Sequence, residues 1–392
     1  MNRSTAWLSL KAAEGGIQLN TPLAADADRW AVALASLVDQ WALRSAVQTM
    51  LLAMPKNQEG QPAQVVLICQ LRPDFRQRCM PGYDSLALHQ RLGHGQHTDE
   101  VWALEREIWV ALLGSPQPFQ FASLEALSSH IRVRRNTALA ARKTALAFKT
   151  EAAERPPADW HYAEGPGFVL NPGRSLIKAL IAATQPEATG QLYDFSCYRA
   201  TEYVILLGIA LEARDHNPAL LLALQDLNEQ HAVRSGQFHD VFLVEYGHMD
   251  TPLPARFHVP GDRLWFRNPD ERSSNVTGYE GSWVIYMGGG LFSNFWQRDK
   301  PFTLESKAIE IYHWKDGVDT DAQGELQMNE TVVQALVAQT QARSEARTQV
   351  LERMLRLRDP QGVYAQGGCL DTTREYPKSV SRDHCELVLP RP

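Results

Sequence analysis

Residues 193–211 read YDFSCYRATEYVILLGIAL. A polar turn carrying Asp194 and Ser196 gives way to a long apolar run, and Cys197 stands at the junction. Asp and Ser are both favoured N-cap residues, so the pattern predicts a helix that begins at the cysteine. A helix N-terminus offers free N–H groups and partial positive charge, which lower a thiol pKa. The same position also suits a cysteine buried for its apolar character, because free cysteine is among the most buried side chains. Chemistry at Cys197 therefore needs a partner elsewhere in the chain.

Downstream of this helix the sequence turns strand-like. FHDVFLVEYG (238–247), DRLWFRNP (262–269), SWVIYMGG (282–289), LFSNFW (291–296) and AIEIYHW (308–314) are short, β-branched and aromatic. Such runs predict antiparallel strands. A helix over about 174–184 precedes the Cys197 segment, and residues 327–358 predict one long polar helix followed by an irregular tail. Upstream, apolar spacing predicts helices over 27–53, about 98–113 and about 122–151, with a strand at 63–72. Residues 73–100 are rich in breakers and predict a long connection. The resulting organisation is a mainly helical segment over 1–130, a core over 131–325, and a C-terminal helix and tail over 326–392. One helix opened by a cysteine and packed on consecutive strands is the α+β plan of papain-like and NlpC/P60-like cysteine hydrolases.

The chain has 392 residues with 44% hydrophobic and 21% charged residues, an ordinary globular composition. A net charge of -6 gives no global basic field for nucleic acid or anionic lipid. No run approaches the roughly 18 apolar residues that span a bilayer. The N-terminal sequence has no signal-peptide pattern, so the expectation is a protein made in the cytoplasm, with any export using a route without a cleaved signal. Five cysteines without CxxC spacing argue against a disulfide framework or a zinc site. HGQH at 94–97 lacks carboxylate partners, and no metal or other cofactor is expected.

Among the other cysteines, Cys69 lies in the predicted strand, and Cys369 in AQGGCLD is the one rival nucleophile. Of twelve histidines none is marked by a motif; His248, His258 and His313 are the candidates for an alternative base. GGG at 288–290 lacks the Lys-Ser/Thr of a phosphate loop and predicts a hairpin turn.

The sequence from about 131 to 315 resembles the bacterial protein-glutamine γ-glutamyltransferases, the spore-coat type of transglutaminase. GDRLWFRNPD (261–270) is similar to that family's Gly-Asp-x-x-Tyr/Trp-Phe-Lys/Arg-Asn-Pro-Asp/Glu segment. YEGSWVIYMGGGLFSN (279–294) is similar to its glutamate-bearing strand and hairpin, and FSCYRATEYVILLGIAL (195–211) to its nucleophile helix. ARKTALAF (141–148) and LNPGRSLIKAL (170–180) also fit.

The resemblance implies that Cys197 is the thiol nucleophile and Glu280 the proton carrier, a role that asks for burial of the carboxylate. The family's histidine position falls on or beside Asn294, which cannot accept a proton. Ser196 replaces an acidic residue. Trp265 and Trp283 are candidates for lining an access tunnel. The implied reaction is acyl transfer from a protein glutamine to an amine, or deamidation, through a thioester on Cys197. The implied partners are protein substrates. The segments outside the core suggest a delivered effector that binds a chaperone or an immunity protein. An NlpC/P60-type amidase or peptidase, and an interaction protein that kept the fold without the chemistry, are the alternatives.

Overall fold

The structure, a computed structural model, describes residues 15–21, 24–54, 64–93, 99–147, 153–165, 167–233, 235–359 and 367–390. HGQH (94–97) lies outside the described residues. The first part runs β1 (Gly16–Thr21), α1 (Ala24–Asp39), β2 (Val47–Met54), β3 (Gln64–Leu71), α2 (Pro73–Cys79), α3 (Leu88–Leu92), α4 (Glu100–Leu113), β4 (Pro118–Phe121) and α5 (Leu124–Lys143). Four of these strands form a sheet of order β2-β3-β1-β4, in which β1 is antiparallel to β3 and parallel to β4. Ile17, Leu19, Cys69 and Phe119 from the sheet pack with Ile108 and Leu112 of α4 in one core.

The region expected to be mainly helical thus contains a sheet. The helix predicted over 27–53 stops at Asp39, where the chain turns through Ala42 at φ 55°. Residues 47–54 instead pair along the whole of β3, from Val47 opposite Leu71 to Met54 opposite Gln64. Long-range pairing overrides a helical periodicity that is only a local preference. The predicted connection after β3 holds the short helices α2 and α3.

The second part continues β5 (Trp160–Ala163), β6 (Gly167–Leu170), α6 (Leu176–Thr184), α7 (Cys197–His216), α8 (Pro218–Gln230), α9 (Ser235–Phe242), β7 (Leu243–Tyr246), β8 (Arg263–Arg267), α10 (Glu271–Ser274) and β9 (Gly281–Ile285). It closes with α11 (Leu304–Trp314), β10 (Val318–Thr320), β11 (Leu326–Met328), α12 (Glu330–Ala342), α13 (Ser344–Met354) and β12 (Arg374–Pro377). The fold is α+β: the cysteine-bearing helix α7 packs on a wholly antiparallel sheet of order β7-β12-β8-β9. Tyr203, Val204 and Leu207 of α7 share a core with Ala140 and Ala141 of α5 and with Ile285 of β9. A Cβ on Gly208 would come within 2.3 Å of Thr137 Oγ1, so the crossing of α7 over α5 needs glycine there.

Several strand expectations change. FHDVFLVEYG is helical to Phe242, and only Leu243–Tyr246 is strand. LFSNFW forms no strand; Phe292 makes single bridges to Tyr286 and Phe302. AIEIYHW lies in α11, opened by a capping box between Thr303 and Ser306. The predicted 327–358 helix is two helices divided at Arg343. The tail is not wholly irregular, because it supplies β12, an interior strand of the sheet under α7. Among the described residues no helix is long and apolar enough to cross a membrane.

Candidate active site

Ser196 caps α7 by accepting from the N–H of Arg199 at 3.3 Å, which leaves Cys197 as the first helical residue. The sulfur accepts from two backbone N–H groups, that of Trp283 in β9 and that of Tyr198 in α7. Burial pushes the Cys197 thiol above its ordinary range. The two N–H donors and the positive charge of Lys307 pull against that, while the charge of Glu280 adds to it. A raised thiol is protonated at neutral pH, so any nucleophilic step must include removal of its proton.

Cys197 opens into a cavity of about 360 Å³. Asn294 and Trp296 line it from the loop after β9, Lys307, Glu310 and Trp314 from α11, and Glu330, Val333 and Gln334 from α12. This is the size of a side-chain pocket.

The GDRLWFRNPD segment builds the frame rather than the cavity wall. Asp262 is fully buried; its carboxylate accepts from Arg134 Nη1 at 2.8 Å, Tyr246 Oη at 2.6 Å and the Val259 N–H at 2.8 Å. Asn268 donates to the carbonyl of Tyr279 at 2.8 Å and its own N–H to that of Glu280 at 3.1 Å. These bonds fix the turn that presents Glu280 at the head of β9. Gly281 follows, and a Cβ there would meet Trp265 Nε1 at 2.2 Å.

Glu280 is exposed rather than buried, unlike the carboxylate expected from the resemblance, although its charge reaches Cys197. Asn294 does line the cavity, but its amide is engaged: Nδ2 donates to the carbonyl of Lys300 at 2.9 Å and Oδ1 accepts from the Gln297 N–H at 3.2 Å. Trp265 and Trp283 stack with ring centroids 6.0 Å apart at 14°, and neither lines the cavity. Its aromatic wall is Trp296, Phe302, Trp314 and Tyr279 instead.

The candidate histidines lie elsewhere. His248 is on the surface beside Asp250. His258 is fully buried, where burial first and then Arg374 hold it well below the usual imidazole range. His313 is fixed between Asp316 at 2.9 Å and Thr340 at 2.7 Å. Cys369 is fully buried with its thiol against the Met354 carbonyl, and burial pushes it up to about 12.

Among the described residues two clusters have metal-ligand composition, Glu125–Glu212–His216 and His239–Glu245–Glu375. Arg132 is ion-paired within the first and Arg263 with Glu375 of the second, so each already holds a cation.

Lys307 and Glu310 are absent from the sequence-based site because AIEIYHW reads as a strand. The Thr303-x-x-Ser306 cap was the available signal. Read as a helix from it, Lys307, Glu310 and Trp314 fall on one face by i, i+3 and i+7.

A family model described as protein-glutamine gamma-glutamyltransferase matches residues 87–367, more than two thirds of the chain. No curated protein gives a significant sequence match. Among solved structures, "Transglutaminase from Geobacillus stearothermophilus (without C-terminal extension)" superposes at a TM-score of 0.39 with 20% identity, covering 54% of this chain and 97% of that one.

Proposed function

The chain belongs to the protein-glutamine gamma-glutamyltransferase family, and from that premise we propose that Cys197 carries acyl transfer from the side chains of protein glutamines. The observation that supports this most is the sulfur of Cys197 at a helix start, bonded by the N–H groups of Trp283 and Tyr198 and opening into a cavity.

In this reading the thiol loses its proton, with Glu280 as the acceptor, and the thiolate attacks the carboxamide carbon of glutamine. The tetrahedral oxyanion forms beside the Trp283 and Tyr198 N–H groups, which are freed as the sulfur gives up its charge to the new C–S bond. Collapse breaks the C–N bond and releases ammonia, which takes up the proton. The γ-glutamyl thioester then passes to a lysine amine, forming an isopeptide bond, or to water, forming glutamate. Asn294, with its amide engaged, orients the loop that walls the cavity.

A Cys–His amidase has less support, since among the described residues no histidine lines the cavity. A chemically silent interaction protein has less support too, because the thiol has polar neighbours. Synthesis in the cytoplasm and delivery as an effector belong to the proposal, and the effector reading, with the flanking segments engaging a chaperone or immunity protein, rests on those segments alone.

The test is incubation with a glutamine-rich protein and a labelled primary amine, beside Cys197→Ala and Glu280→Gln. Incorporation that persists in Cys197→Ala contradicts the mechanism. Ammonia release without incorporation assigns deamidation.

A further inference from the structure

Lys307 is placed where an ammonium is costly. It is 4% exposed on α11 and lines the cavity that holds Cys197. Its Nζ lies 3.0 Å from Glu310 Oε1 and over the rings of Phe302 and Trp314, at 4.1 and 5.3 Å from their centroids. Burying an ion pair costs desolvation that a well-packed apolar side chain of similar size avoids. A methionine would fill this space between the rings. The buried charge therefore points to a role for the cation in the cavity.

The groups around Lys307 narrow that role. Glu310, on the same helix, is its one ion-pair partner within 4.0 Å among the described residues. Glu330 on α12 and Lys300 in the loop before α11 line the same cavity, with Tyr279 Oη donating to Glu330 at 2.7 Å. On the other side Lys307 acts on the thiol of Cys369, but that thiol is fully buried and bonded to a carbonyl, so it offers no anion. Glu280 acts on Cys197 with the opposite sign to Lys307. Among the described protein groups that line the cavity with Lys307, the sulfur of Cys197 is the one that gains negative charge in the proposed reaction, and Lys307 acts on it.

Resting on the assignment of Cys197 as the nucleophile, we propose that Lys307 is a positioning residue whose buried ammonium stabilises the Cys197 thiolate, and that Glu310 moderates its field. A cysteine paired with histidine receives such a field from the imidazolium. Here a lysine on α11 that lines the same cavity supplies it, without accepting the thiol proton.

The experiment is the pH dependence of Cys197 alkylation by iodoacetamide in the full chain, read on the Cys197 peptide by mass spectrometry so that exposed Cys385 does not contribute. Lys307→Met is expected to move the midpoint up by about one pH unit, a tenfold slower reaction on the rising limb. Lys307→Arg keeps the midpoint near that of the parent protein. Glu310→Gln moves it down. An unchanged midpoint in Lys307→Met with an unchanged melting curve overturns the proposal, as does an upward shift in Glu310→Gln. If Lys307→Met does not fold, Glu310→Gln decides, and an unchanged midpoint there overturns it. Amine incorporation lost in Cys197→Ala beside a normal midpoint in Lys307→Met removes the lysine proposal alone. Incorporation that survives Cys197→Ala removes the nucleophile assignment whatever the midpoints.

Discussion

Arg263 Nη1 lies 3.0 Å from Glu375 Oε2, and the same guanidinium sits 4.2 Å from the ring centroid of Tyr198 and 4.1 Å from that of Trp283. Tyr198 and Trp283 are the two residues whose N–H groups hold the Cys197 sulfur. One fully buried arginine thus ties the start of α7 to β9, and its counter-ion comes from β12 in the C-terminal tail.

Removing that arginine leaves buried Glu375 without its guanidinium partner, whereas neighbouring Glu202 keeps Arg199 at 2.6 Å. Arg263→Met is expected to cost about 3–5 kcal/mol, the usual penalty for breaking a buried pair. The double variant Arg263→Met/Glu375→Gln recovers a large part of the loss, because no uncompensated pair remains. Urea denaturation of the three proteins measures this. A single-variant cost below about 1 kcal/mol contradicts a buried, energetically coupled clamp.

Gly281 sets a second steric condition. A Cβ would stand 2.2 Å from Trp265 Nε1 and 2.5 Å from the Phe266 carbonyl. Gly281→Ala forces Trp265 and β9 apart, with an expected cost of about 1–3 kcal/mol. Because Trp283 lies two residues on, amine incorporation falls more than the folded fraction does. Equal falls in both, measured by activity and circular dichroism on one sample, would confine the glycine to a packing role.

Stability also depends on pH through Glu107. This side chain is 3% exposed, accepts from Tyr286 Oη at 2.8 Å and the Gly289 N–H at 2.9 Å, and so holds the GGG hairpin. Burial is the main cause that raises its pKa from 4.5 to about 7. The folded state binds the proton more tightly than the unfolded state, so this contribution is full below about pH 4.5 and is lost as pH rises to about 7. The loss is on the order of 3 kcal/mol. Glu107→Gln is expected to flatten the fall in melting temperature between pH 5 and pH 7. A parent protein whose melting temperature rises across that interval, with Glu107→Gln unchanged from it, contradicts the assignment.

Glu280 is exposed yet bears on the sulfur. In its proposed role of proton acceptor it would contribute about 10²-fold or more in kcat, within the usual range for a positioned acid–base group. Glu280→Gln should show that fall with little change in KM, in steady-state assays of amine incorporation. A kcat equal to that of the parent protein moves the proton to another acceptor.

Much of this site is legible in the sequence, and the rest is hidden for identifiable reasons. The Asp-Phe-Ser-Cys junction specifies a capped helix by local hydrogen bonding alone, so α7 begins at Cys197 as expected. The α+β plan follows from the strands after it. Lys307 is missed because Ile309 and Ile311 alternate like a strand, whereas the Thr303–Ser306 capping box that makes α11 a helix is a weaker pattern. β2 is missed because its identity depends on β3, ten residues away. Burial of Arg263 cannot be read locally at all, since Glu375 lies over a hundred residues downstream in a tail that looks irregular until it enters the sheet.

The central claim, a thioester on Cys197, is tested most directly by trapping it. The full chain is mixed with a glutamine-containing peptide in the absence of amine, quenched in acid and digested for mass spectrometry. The account predicts an adduct of the peptide less ammonia on Cys197, discharged by added primary amine and absent from Cys197→Ala. Turnover with no adduct on Cys197, or with an adduct on another cysteine that amine discharges, contradicts it.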